Sequence, residues 1–137
     1  MLLLENQLEV KRSNIPGSGK GLFTTKHIDK GALIIEYRGK RTSWAEVDHK
    51  GGKNGYIYYV NKNCVIDAAE YTNSLARYAN DAKGLKIIKG LENNCAFIKQ
   101  GEQVFLKALR NIDAGEELLV AYGKEYWETV KYNMGLK

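Results

Sequence analysis

Apolar and polar residues alternate over short distances along most of this chain, and a period of two predicts strands. Leu8 to Arg12 alternates apolar and charged residues and is expected to be a short strand. Residues 22–25 and 32–37 form two more. Residues 56–60 and 64–67 are a hairpin pair across the turn Asn61-Lys62-Asn63. In a strand over 56–60, Tyr56 and Tyr58 share a face and Tyr59 takes the other. Residues 95–98 and 104–109 form a second hairpin over Gln100-Gly101-Glu102. The last run, Leu118 to Tyr122, has no polar face, as in a strand buried on both sides.

Helical signals are fewer. Ser43-Trp44-Ala45-Glu46 fits a capping box that opens a short helix. Residues 70–79 predict the clearest helix, with Leu75, Tyr78 and Ala79 on one side. Residues 124–132 predict a terminal helix carrying Tyr126 and Trp127. Regular alternation of strand and helix is missing, which argues against a doubly wound sheet. The fold class is mainly β with short helices.

Turn chemistry punctuates these elements. Ile28-Asp29-Lys30-Gly31 and Ile112-Asp113-Ala114-Gly115 share one pattern, which two similar turns explain without a repeat. Gly17, Gly19 and Gly21 alternate, so the backbone either comes very close to something or simply loops. The loop is no P-loop: Asn14 stands where the first glycine belongs, and Gly21 follows Lys20 in place of Ser or Thr. Nor is it a dinucleotide fingerprint, because a strand follows it and not a long helix.

With 137 residues the chain is expected to be a single domain, 1–137. No run approaches the ~18 to 20 apolar residues of a membrane span. Met1-Leu2-Leu3-Leu4 is too short for a signal sequence. Two cysteines, Cys64 and Cys95, with His27 and His49, make no four-ligand metal set, so no metal is expected. An intracellular, cytoplasmic location is expected, and nuclear or host-nuclear action is compatible with it. The formal charge of +5 comes from scattered basic residues, so nucleic acid is not an expected partner. The oligomeric state, monomer or homodimer, stays open. Nine tyrosines against three phenylalanines suit a chain that lines a polar pocket. Tyr122, at the buried end of its run, is either a core tyrosine whose hydroxyl reaches a carbonyl or a phenol with a chemical task.

Four motifs in order resemble the SET domain, the fold of protein-lysine methyltransferases. Gly17-Ser18-Gly19-Lys20-Gly21-Leu22-Phe23 resembles the family's first glycine motif, where backbone approaches S-adenosylmethionine. Ile35-Glu36-Tyr37-Arg38-Gly39 resembles its second strand end. Arg77-Tyr78-Ala79-Asn80-Asp81 resembles the Arg-x-x-Asn-His segment of the family's pseudoknot. Gly115-Glu116-Glu117-Leu118 to Tyr122-Gly123 resembles the closing motif, which ends in the catalytic tyrosine. The motif-bearing region runs from about 10 to 127, with 124–137 as a C-terminal flanking helix. The resemblance implies several small sheets with a pseudoknot-like C-terminal crossing. Two departures stand out. Asp81 replaces the family histidine, and no cysteine-rich zinc module follows Gly123.

The resemblance implies a protein-lysine N-methyltransferase that moves a methyl group from S-adenosylmethionine to a lysine of a protein or peptide, such as a histone-like one. Tyr122 would be catalytic. Ser18, Gly19, Lys20, Tyr56, Asn80, Asp81 and Trp127 would bind the cofactor, Trp127 as a lid. Tyr37, Tyr58 and Val120 would line the substrate-lysine channel, and the small Val120 leaves room for di- or trimethylation. Glu116, Glu117, Glu125 and Glu128 are available to attract a basic substrate. The alternative is a non-catalytic SET-fold binding module for lysine-rich tails or a protein partner. A free lysine has a pKa of ~10.4, so neutralising it near pH 7.4 costs about 4 kcal/mol. A narrow aromatic channel lowers that cost by desolvating the ammonium, and no acid–base dyad is required.

Overall fold

The computed structural model describes residues 3–50, 56–83 and 89–122. Among these residues, nine short strands form three antiparallel sheets of three strands each. Strands β1 (Leu8–Arg12), β2 (Lys20–Thr24) and β9 (Glu117–Leu118) make the first, in the order β1-β2-β9. Strands β3 (Leu33–Glu36), β7 (Cys95–Gln100) and β8 (Gln103–Ala108) make the second, with β8 in the middle. Strands β4 (Lys40–Thr42), β5 (Ile57–Asn61) and β6 (Cys64–Asp67) make the third, with β6 in the middle. The β5–β6 and β7–β8 hairpins are those the alternation predicts. β4, only three residues of Lys-Arg-Thr, carries too little pattern to announce itself.

One core joins the sheets. Leu22, Ile34, Ile66, Leu106, Leu118 and Val120 are fully buried in it, and Leu8 and Val10 of β1 pack against its edge. The two Ile-Asp-x-Gly turns meet each other. Ile28 N–H donates to the Ile112 carbonyl at 2.8 Å, and Ile112 N–H donates back at 2.9 Å.

Two predicted helices are shorter than their patterns suggest. At 43–46 the Ser43 hydroxyl does accept the Glu46 N–H at 3.2 Å, but the chain makes only a turn there. Over 70–79 the regular element is one 3-10 turn, Leu75–Tyr78. Thr72, Asn73 and Ser74 precede it, and short polar side chains compete with helical hydrogen bonding. Ser74 is extended at φ −81°, ψ 95°, and Ala79 is extended again at ψ 122°. Arg77 Nη1 donates to the carbonyls of Ala68 and Ala69 at 2.7 and 2.8 Å, which ties the preceding turns down. The predicted terminal helix, 124–132, lies outside the described residues.

The last apolar run is buried as expected but is not one strand. Only Glu117 and Leu118 join a ladder, opposite Phe23 and Leu22 of β2. The chain then changes partners. Leu119 bridges Asn80 and Val120 bridges Cys95, both in parallel sense. Val120 N–H donates to the Asn80 carbonyl at 2.8 Å, while the Leu119 carbonyl accepts the N–H groups of Asn94 and Cys95 at 2.9 Å each. The segment 117–122 therefore crosses between Asn80 and the start of β7, the pseudoknot-like crossing expected from the sequence.

Candidate active site

A cavity of about 250 Å³ opens beside this crossing. Its walls come from five places in the sequence. Tyr37 follows β3, Ile57 and Tyr58 lie on β5, and Ala96 and Phe97 lie on β7. Ala76, Arg77 and Ala79 come from the 3-10 turn and its exit, and Ala121 and Tyr122 from the crossing segment. The alanines create the space, and the rings shape it. Tyr37, Tyr58 and Phe97 form a cluster with centroid separations of 6.1, 5.7 and 5.2 Å. Phe97 meets both tyrosines in T-shaped packing, at interplanar angles of 88° and 70°, a favourable arrangement for ring quadrupoles. Burial pushes the Tyr58 phenol up from its ordinary pKa, so it remains a neutral hydroxyl. Tyr37 Oη donates to the Tyr56 carbonyl at 2.7 Å. Tyr122 Oη donates to the Ala79 carbonyl on the cavity wall.

Arg77 brings a permanent positive charge to this wall. Its guanidinium lies 4.0 Å over the Tyr56 ring and 5.1 Å from the Tyr78 ring. Its Nε is buried without a hydrogen-bond partner. A guanidinium beside an aromatic cavity disfavours a second cation there, and so favours a neutral amine over an ammonium.

Next to the cavity, polar side chains hold the crossing together. Glu117 is 4% exposed and accepts from Ser13 Oγ at 2.6 Å and Asn14 N–H at 2.8 Å. Asn80 Nδ2 donates to the Lys20 carbonyl at 3.0 Å and approaches Glu117 Oε2 at 3.5 Å. The loop at 13–20 is thereby tied to the segment that forms the cavity wall. Asn94 is 2% exposed; its Nδ2 donates to the Glu117 carbonyl and its Oδ1 accepts the Leu119 N–H, both at 2.9 Å. Burial pushes the Cys95 thiol up to about 12, so it stays protonated and donates to Asn94 Oδ1.

The three alternating glycines divide by role. Gly17 and Gly19 take left-handed φ values of +82° and +66° and face open space, so they shape an accessible loop. Gly21 is a close approach, since a Cβ there would strike the Glu117 carboxylate.

The site residues expected from the sequence fall into groups. Tyr37, Tyr58 and Tyr122 line the cavity together. Tyr56 is not in its lining; its ring stacks on Arg77 and its carbonyl holds Tyr37. Val120 is fully buried in the core that backs the cavity, with no surface on it. Ser18, Gly19 and Lys20 lie together in the open loop, bonded through Lys20 to Asn80. The Asp81 carboxylate is 8% exposed and turned onto protein groups, among them the Tyr122 N–H at 2.9 Å. Trp127 lies outside the described residues, as do Glu125 and Glu128. Glu117 is no part of an acidic groove, because it is buried, and Glu116 is paired with Arg110 at 3.0 Å. Phe97 and Arg77 are cavity residues that the sequence reading did not assign to the site. Phe97 alternates onto the same face as Cys95, a signal that identifies a core strand but not a cavity.

Comparison with known proteins places this geometry. The SET domain family model matches residues 19–123. The N-lysine methyltransferase KMT5A of Xenopus tropicalis is 29% identical over 93% of this chain, which spans 40% of that protein's length. The histone-lysine N-methyltransferase set-1 of Caenorhabditis elegans is 29% identical over 94% of this chain, which spans 55% of its length. Among solved structures, the methyltransferase domain of human PR domain-containing protein 2 is similar with a TM-score of 0.63 and 27% identity, over 88% of this chain and 82% of that one. The pseudoknot-like crossing, the glycine loop bonded to Asn80 and a tyrosine on the cavity wall are set in a matched region covering most of the sequence, and the chain belongs to the SET-domain family.

Proposed function

We propose that the chain is a protein-lysine N-methyltransferase that uses S-adenosylmethionine. The observation that carries this reading is the cavity on which Tyr37, Tyr58, Phe97 and Tyr122 converge, next to the loop at 17–20. Its volume of about 250 Å³ accommodates an unbranched alkyl amine, and its rings suit a cation or its neutral form. The fit to the cofactor is judged on the loop. Space is open above Gly17 and Gly19, and backbone there is accessible. Ser18, Gly19 and Lys20 would hold the cofactor through main chain, and Asn80 and Asp81 would border it. When bound it supplies an electrophilic methyl group on a sulfonium.

The chain's own residues then have three tasks. Tyr37, Tyr58 and Phe97 strip water from the entering lysine, which lowers the pKa of its ammonium. Arg77 adds like-charge pressure in the same direction. Tyr122, with its hydroxyl fixed on the Ala79 carbonyl, presents its phenol oxygen to orient the amine lone pair. Alignment of that kind supplies several kcal/mol of a displacement barrier. The wall alanines Ala76, Ala79, Ala96 and Ala121 leave space in the cavity, which supports addition of two or three methyl groups; Val120 lies behind them in the core. The substrate is a basic protein segment, histone-like or otherwise, and the location is intracellular.

A second reading rests on the same ring cluster. Three aromatic rings at 5.2 to 6.1 Å also suit a module that only binds lysine-rich tails. Incubation with methyl-labelled S-adenosylmethionine and basic proteins separates the two. Transfer is expected to fall at least about 100-fold in Tyr122→Phe, a loss of roughly 2.7 kcal/mol of transition-state stabilisation. Mass spectra are expected to contain di- or trimethyl-lysine, and monomethyl-lysine alone at saturating enzyme would refute that degree of methylation. Tail binding without any cofactor binding would establish the module instead.

A further inference from the structure

We infer that Asp81 is a positioning residue for Tyr122, acting through its carboxylate on the tyrosine's main chain. The regular pairing of the crossing segment ends at Val120, whose bridge to Cys95 is the last. Ala121 is exposed, and residues 121 and 122 belong to no strand. Tyr122 follows closely on that bridge, and a side chain holds its backbone. The Asp81 side chain supplies the hold: Oδ2 accepts the Tyr122 N–H at 2.9 Å. With the Tyr122 hydroxyl on the Ala79 carbonyl, the residue is fixed through its main chain and its hydroxyl to one short segment, 79–81.

Asp81 is itself fixed. Its Oδ1 accepts the Lys83 N–H and the Asn93 Nδ2–H, each at 2.9 Å. Asn93 Oδ1 in turn accepts the Ala82 N–H at 2.8 Å. The carboxylate is 8% exposed and draws three N–H donors from three parts of the chain. An ionised carboxylate accepts on both oxygens, and charge-assisted bonds of this kind are the stronger ones. No neutral residue of this size reproduces the set. Asparagine must turn an NH₂ group towards one of the donors, and a histidine ring offers one acceptor at most. The choice of Asp at this position is thus explained by the tyrosine it holds.

For its kinetic readout the inference rests on the proposed methyl transfer; a second readout does not. In Asp81→Asn, kcat is expected to fall at least tenfold, with the KM for a lysine peptide and the Kd for S-adenosylmethionine within threefold of wild type. In the same variant, amide hydrogen exchange at Tyr122 is expected to accelerate at least tenfold without any ligand present. Unchanged exchange together with unchanged kcat overturns the inference. So does a collapse of S-adenosylmethionine binding with Tyr122 exchange unchanged, since Asp81 would then be a cofactor ligand. A wild-type protein that transfers no methyl group would refute the proposed function, and the exchange measurement would still decide the hold on Tyr122. If Asp81→Asn does not fold, Asn93→Ala carries the test. It loosens Oδ1 alone and is expected to speed Tyr122 exchange at least threefold, and exchange at the wild-type rate overturns the inference.

Discussion

In the β7–β8 hairpin the backbone satisfies itself. Pairing runs without interruption from Cys95 with Ala108 to Gln100 with Gln103, and the inward side chains of Val104 and Leu106 are fully buried. In the corner where residues 13–19, 80–83, 93–94 and 117–122 meet, the crossing segment 117–122 makes ladders of only one or two residues. There Glu117, Asn80, Asp81, Asn93 and Asn94 supply the hydrogen bonds that strands supply elsewhere. A ladder spreads its energy over many equivalent bonds, so one side chain matters little to it. A corner tied by side chains concentrates the same task in a few atoms. It can also turn backbone towards a ligand, which a closed ladder cannot.

Exchanging one amide in each region gives the largest expected contrast. Asn94→Ala leaves the buried Glu117 carbonyl and Leu119 N–H without their partners. At ~1–3 kcal/mol for each of the two unmet buried groups, the loss is about 2–6 kcal/mol. Gln103→Ala, in the hairpin, removes an exposed contact to Glu36 Oε2 of 3.4 Å and is expected to change stability by less than about 0.5 kcal/mol. Urea unfolding of both variants checks the difference. Equal losses would mean that the corner is no more dependent on single side chains than the hairpin.

That contrast also explains what was legible in the sequence. Hairpins announce themselves, because alternation and turn residues are local; β5–β6 and β7–β8 fall where the pattern puts them. Tyr37, Tyr58 and Tyr122 were accessible through motif order, and they meet at one cavity. The corner was not legible in this way. Its bonds join residues far apart, 104 positions in the case of Ser13 and Glu117, and nothing local distinguishes a buried glutamate from a surface one. The same reason explains Asp81, expected at the cofactor from motif order, whose carboxylate accepts from Tyr122, Lys83 and Asn93. The 70–79 helix was expected from spacing alone. The segment leaves helical geometry at Ala79 because Asn80 must run alongside Leu119.

A methyl group added at a glycine sharpens the comparison at intermediate size. In Gly21→Ala the new Cβ meets the Glu117 carboxylate and lies 3.1 Å from the Ser13 Cβ. Glu117 cannot turn aside without losing Ser13 and Asn14, so an overpacking cost of about 1–3 kcal/mol is expected. In Gly101→Ala, at the hairpin turn, space is open and only the left-handed φ of +65° is penalised, at about 1–2 kcal/mol. The two are separable by a second measurement. Gly21→Ala is expected to weaken S-adenosylmethionine binding, because it displaces the loop that Lys20 ties to Asn80, while Gly101→Ala leaves it unchanged. Cofactor affinity equal in the two variants would break the link between the corner and the proposed binding loop.

The smallest expected effect lies on the turn that leads into the corner. Arg110 Nη2 meets Glu116 Oε1 at 3.0 Å, and Glu116 Oε2 also accepts the Asp113 N–H at 2.6 Å. The Arg110 hydrogen bond holds the Glu116 carboxyl below its ordinary pKa, against a desolvation that pushes the other way. A carboxylate with a depressed folded-state pKa stabilises the fold above its unfolded value, and that contribution disappears as pH falls through the folded value. The pair is half exposed on the arginine side, where solvent screens it, and such pairs contribute about 0.2–1 kcal/mol. Arg110→Ala is therefore expected to lower stability by that amount at pH 7. The difference from wild type should close as pH drops below the ordinary glutamate range near 4.5. Added salt should shrink it as well, since exposed pairs are screened. A deficit that persists unchanged at pH 3 would show that Arg110 acts through packing or through its bond to the Asn111 carbonyl, and not through Glu116.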